Sequence, residues 1–78
     1  MYLIKKSTHK NKKYMAVFKT GVVVHFGDNR YQQYHDKTSL KIYSSLDHKD
    51  ETRKRSYYAR HGKAVPYSAK WFSHKYLW

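Results

Sequence analysis

The sequence predicts a small α+β protein: a three-stranded antiparallel sheet, made of a hairpin and an N-terminal strand, with one basic helix and a short aromatic helix at the C-terminus. Three observations carry this. Tyr14-Met15-Ala16-Val17-Phe18 and Val22-Val23-Val24-His25-Phe26 are β-rich runs either side of Lys19-Thr20-Gly21. A segment with acids at its start and bases at its end follows Asp47. After Val65-Pro66, the last residues are crowded with large rings.

The hairpin is the clearest element. A three-residue loop with glycine last suits a type I turn closed by a left-handed glycine. A period of two places Tyr14, Ala16 and Phe18 on one face, and Val22, Val24 and Phe26 on one face of the partner run. Tyr2–Lys6 reads as a brief strand, Ser7–Lys13 as a lysine-rich connection, and Gly27-Asp28-Asn29 as the end of the hairpin. Arg30–Asp36 is polar and irregular. In Ser39–Leu46, the alternation of Leu40, Ile42 and Leu46 favours a strand, although Leu40, Tyr43 and Leu46 also fit a helix face.

The basic helix is expected to be capped by Asp47, with Asp50 and Glu51 in the first turn where the helix dipole favours negative charge. It runs through Arg60 to a stop at Gly62. Ser68 is the expected cap of a final helix, Ala69–Leu77. Leucine and isoleucine are few, so the core must be aromatic, built from Tyr14, Phe18, Phe26, Trp71 and Phe72.

A chain of 78 residues is a single domain with a small core. It has no cysteine, which excludes disulfides and thiolate metal sites. No apolar run approaches the ~20 residues of a membrane span, and the N-terminus becomes charged too early for a secretory signal, so the chain is not expected to be secreted. Its 17 Lys and Arg stand against five Asp and Glu. Residues 1–27 carry +6, residues 28–51 carry −1 and residues 52–78 carry +7, so two acid-free basic ends flank a neutral middle. Such a field calls for an anionic partner.

Enzymatic chemistry finds no support. No serine sits in a nucleophile elbow, no carboxylate pair stands apart from helix-start acids, and the three glycines are isolated rather than forming a phosphate-cradling loop. No two of the six histidines are three or four residues apart, so no metal helix is indicated. No motif implies a cofactor or a small-molecule ligand. The informative pattern is rings interleaved with cations. Candidate polyanion contacts are Lys10, Lys12, Lys13, Arg53, Lys54, Arg55, Arg60 and Lys63; candidate partner-docking rings are Tyr58, Trp71, Tyr76 and Trp78, with at least one of the last three expected to be exposed. No base-reading signature accompanies them.

Ordered blocks over about two-thirds of the chain carry a resemblance: Lys13-Tyr14-Met15-Ala16-Val17-Phe18, Val24-His25-Phe26-Gly27, His48-Lys49-Asp50, Arg53-Lys54, Tyr57, Arg60-His61, Trp71-Phe72-Ser73 and Leu77-Trp78. They resemble a family of small basic proteins of large nucleocytoplasmic DNA viruses of algae and amoebae. Against that family's pattern, Arg30–Asp47 looks like an insertion, and no polar, proline-bearing tail follows Trp78. The resemblance implies a viral setting: a virion component that contacts capsid or other virion proteins or the packaged genome, in the particle or the infected cell. The alternative is a free protein that binds DNA or RNA without sequence specificity.

Overall fold

The computed structural model describes all 78 residues. Three antiparallel strands, β1 (Tyr2–Lys6), β2 (Lys12–Phe18) and β3 (Val23–Asp28), lie in the order β1-β2-β3. Helix α1 (Glu51–His61) and helix α2 (Ala69–Tyr76) follow a long connection that holds one turn of 3-10 helix, Ser44–Leu46. The α+β class and the hairpin stand as the sequence predicts. Tyr14 faces Phe26 and Ala16 faces Val24 across the β2–β3 pair, and Gly21 closes the turn at φ +94° with open space around it.

One face of the sheet packs on α2. Tyr14, Ala16, Phe26, Phe72 and Leu77 form the buried cluster, with Phe26 stacked on Phe72 at 5.4 Å and Tyr2 meeting Phe72 edge-on at 5.0 Å. Phe18 and Trp71, expected in the core, are half-buried at its rim. The other face stays largely open: Leu3, Val17 and Val23 are cross-strand neighbours, and Leu3 is 66 % exposed.

Alternation fails at the start of β2, where the consecutive residues Lys13 and Tyr14 are both buried. The connection between β3 and α1 and the C-terminal residues close over this end of the sheet. Tyr14 donates its hydroxyl hydrogen to Asp36 Oδ2 at 2.5 Å. The same carboxylate accepts from the Thr38 amide and hydroxyl and from the Tyr43 amide, at 3.0, 2.6 and 3.2 Å. The Ile42 amide donates to the Tyr14 hydroxyl oxygen at 3.0 Å. These bonds overturn the strand expected over Ser39–Leu46. The Ile42 and Tyr43 amides that a ladder would use are already engaged, and the segment turns instead, leaving Leu40 and Ile42 each 44 % exposed.

The network extends to Lys13, a predicted polyanion contact that the structure removes from the surface. Its Nζ donates to buried Gln33 Oε1, and Gln33 Nε2 donates to the Tyr43 carbonyl at 2.8 Å and to Asp47 Oδ1 at 2.6 Å. Asp47 also accepts from the Asp36 amide at 2.7 Å. It is therefore occupied in this network and does not cap the helix. Asp50 is the cap of α1, accepting from the Thr52 and Arg53 amides at 2.9 and 3.2 Å. Gly62 ends α1, and Ser68 caps α2.

The amides of His35 and Lys37 donate to the Leu77 and Tyr76 carbonyls at 3.0 and 2.8 Å. The connection thus satisfies carbonyls that the end of α2 would otherwise leave bare. Gly27, at φ +75°, lets Leu77 approach so closely that a Cβ there would lie 2.8 Å from Leu77 Cδ1.

Gly21→Val should cost about 1–3 kcal/mol through backbone strain alone, read as a lower denaturation midpoint; an unchanged midpoint would refute a left-handed requirement at this turn. Asp36→Asn points an amide donor at groups that already donate, and should cost about 3 kcal/mol. That is a large share of the roughly 4–12 kcal/mol expected for a domain of this size, and a variant that unfolds at the wild-type urea concentration would show that the network contributes little.

The pH profile follows from the same groups. For the Asp36 carboxyl, burial acts upward, but the hydrogen bonds from Thr38, Tyr14 and Tyr43 outweigh it and hold the group below its usual value. Burial pushes Lys13 down to about 8, against an upward pull from Asp28, Asp36 and Asp47. It pushes Tyr14, Tyr57 and Tyr76 up to about 12. A depressed carboxyl loses its stabilising effect as pH falls below about 4. A depressed lysine binds more protons unfolded than folded between its two values, so stability rises from about pH 8 towards the usual 10.5. Raised tyrosines do the opposite from the usual 10.0 upward. Melting temperature should therefore peak near pH ~10 and drop steeply by about pH 12; a peak at neutral pH or below contradicts this balance.

Candidate functional site

The spacing of Arg53, Tyr57 and Arg60 puts all three on one face of α1, because residues three and four apart are neighbours on a helix. That face looks onto a cleft of about 550 Å³. The end of the sheet supplies Lys12, Gly27 and Asp28, the following turn supplies Tyr31 and Gln32, and α2 with the C-terminus supplies Lys70, Leu77 and Trp78.

The cleft wall is positioned by specific contacts. Tyr57 stacks flat on Trp78, with centroids 4.2 Å apart and planes 5° from parallel. His74 Nε2 donates to the Gly62 carbonyl at 2.9 Å, an oxygen that can only accept, and His74 Nδ1 shares a hydrogen bond with the Tyr57 hydroxyl at 3.1 Å. Tyr58 donates to the His74 carbonyl at 3.2 Å. Arg53 donates to Gln32 Oε1 at 2.9 Å, and Lys70 Nζ to the His61 carbonyl at 3.0 Å. These bonds hold two cations at the rim without neutralising either.

Electrostatically the cleft is one-sided. Lys12, Arg53, Arg60 and Lys70 line it with Asp28 as the one acid. Arg30 pairs with Asp28 at 2.8 Å, and its hydrogen bonds hold that carboxyl at about 2. His61 is pushed below its usual 6.5, first by burial and then by Arg60, Lys70 and His74. It is therefore neutral at pH 7 and adds a further positive charge only in acid.

The cleft brings together Lys12, Arg53, Arg60 and Trp78 from the sequence candidates, with the Lys13 chain forming part of its lining. Lys10, Arg55 and Lys63 are exposed outside it, and Lys54 lies 4.5 Å over the Tyr34 ring. The docking rings do not stand free. Tyr58, Trp71, Tyr76 and Trp78 are all half-buried, which corrects the expectation of an exposed ring among the last three. Tyr76 and Tyr2 hydroxyls lie 2.9 Å apart, and Lys75 sits 5.6 Å over Trp71. Lys70, Gln32 and Tyr31 were not among the candidates. The helical spacing of Arg53 and Arg60 pointed to one cationic face, but no local signal places the turn around Tyr31 opposite it.

Residues 2–39 match the model of a family of unknown function (DUF5754), which takes in the whole sheet and the first part of the connection. No curated protein and no solved structure matches the chain.

The terminal segment is structural in this geometry, since Leu77 is fully buried and the Tyr76 and Leu77 carbonyls anchor the connection. Truncation after Ser73 should abolish cooperative unfolding, and Leu77→Ala alone should cost about 2–4 kcal/mol. A truncated chain that still melts cooperatively by circular dichroism would show that the segment only decorates the fold.

Proposed function

We propose that this chain is a non-enzymatic binding protein whose partner is the phosphate backbone of nucleic acid, held without sequence specificity. One observation carries the reading: 17 Lys and Arg stand against five acids, of which four accept hydrogen bonds only from neutral donors and one forms an ion pair, so the surface cations are left largely unpaired. Asp36 and Asp47 belong to the buried network, Asp50 caps α1, and Glu51 accepts from the Tyr34 hydroxyl. Asp28 holds Arg30 in the one ion pair of the protein. Of the 17 Lys and Arg, 15 are exposed. An external polyanion relieves that self-repulsion and releases its own counterions on binding. No helix is long and apolar enough to cross a membrane.

The sequence blocks that resemble proteins of large DNA viruses support a virion setting, with the protein lying against the packaged genome. A second reading, docking on shell proteins, is favoured by the uncovered row Leu3–Val17–Val23 on the open sheet face.

Affinity for a labelled DNA should fall linearly with salt on logarithmic axes, by about a hundredfold or more from 50 to 200 mM, if roughly four or more phosphates are contacted. Scrambling the DNA sequence should change nothing. Salt-insensitive binding, or a strong preference for one sequence, refutes the reading. Peptide counting in purified virions tests the setting: the protein should be present at a defined copy number.

A further inference from the structure

Resting on that reading, we infer that the cleft between α1 and the end of the sheet is a subsite for single-stranded nucleic acid, taking a phosphate on its cationic rim and an unpaired base on Tyr31. Size gives the first reason. A volume of about 550 Å³ equals a cube roughly 8 Å on a side, within the range of sites that enclose small ligands. A duplex, whose major groove alone is about 12 Å wide, can rest on the rim but cannot enter. A splayed nucleotide can.

Charge gives the second reason. Arg53, Arg60, Lys12 and Lys70 surround the space, and its one carboxylate is already held by Arg30. The third is the ring. Trp78 is covered by Tyr57 on one side and by His48 at 5.2 Å, so it forms part of the wall. Tyr31 is 66 % exposed, with Arg30 at 5.8 Å from its centroid. It is a ring with open area that shares the cleft lining with four cations, the combination that sequence-tolerant stacking on single strands uses.

The test compares a labelled oligothymidine with a duplex of equal length, and with inorganic polyphosphate, which has charge but no base. Fluorescence anisotropy is read for wild type, Tyr31→Ala, Tyr31→Phe, and the pair Arg53→Gln with Arg60→Gln. Lys5→Gln with Lys19→Gln, away from the cleft, is the matched charge control. Tyr31 is exposed, so its variants should keep the wild-type melting temperature. Expected is an about tenfold loss of single-strand affinity for Tyr31→Ala, restored by Tyr31→Phe, with duplex and polyphosphate binding unchanged. The cleft arginine pair should weaken single-strand binding more than the control pair does. If Tyr31→Ala has no effect and both charge pairs weaken binding equally, the subsite is refuted while the general phosphate-binding reading stands. If neither nucleic acid binds at low salt, that reading falls and the subsite with it.

Discussion

The hydrogen bond from Tyr14 to Asp36 joins the sheet to the long connection, and most of the tertiary structure depends on it. Tyr14 is also a member of the apolar cluster, so one side chain is core on its ring and polar hub at its hydroxyl. Buried Asp36 would be unfavourable as a charge without partners. Here four donors from Tyr14, Thr38 and Tyr43 surround it. By holding the connection in a turned path, the carboxylate places the His35 and Lys37 amides where the end of α2 needs donors. Sheet, connection and C-terminus are therefore one cooperative unit, although the apolar core is only a handful of rings and two aliphatic residues.

This arrangement also shapes the surface. With five acids against 17 Lys and Arg, the chain carries a large positive excess wherever the carboxylates lie. The polar network takes Asp36 and Asp47, the helix cap takes Asp50, and only Asp28 meets a cation in an ion pair, while 15 of the 17 Lys and Arg are exposed. Composition sets the excess of positive charge, and the fold spreads it over the surface. Lys13 shows its limit: a lysine adjacent to the hub is drawn in, and burial lowers its hold on the proton.

Aromatic side chains serve in two ways. Phe26, Phe72 and the Tyr14 ring fill the interior, where each covers area that several aliphatic residues would otherwise supply. Tyr57, Trp78 and His74 instead fix α1 against the C-terminus through stacking and hydrogen bonds at a half-buried seam. Helix α1 carries little apolar surface of its own, so this seam is what orients its row of arginines towards Lys12 and Lys70.

The sequence by itself determined what depends on neighbours in the chain. The hairpin and its glycine turn were legible because strand alternation and a left-handed glycine are local properties. The end of α1 and the start of α2 were legible because Gly62 and Ser68 act within a turn of the helix end. The net field was legible because charge is additive. Tertiary structure decided whatever required two distant groups to meet. Asp47 had the composition of a cap, but Gln33 and the Asp36 amide took it, and Asp50 capped instead. Ser39–Leu46 had the alternation of a strand, but Asp36 and Tyr14 took its amides. Lys13 read as a surface cation until the connection closed over it, and Tyr31 read as loop until the fold set it across a cleft from Arg53 and Arg60. Short-range periodicity holds no information about which buried carboxylate a distant amide will find, because that choice is made by packing and by the requirement that every buried polar group be satisfied.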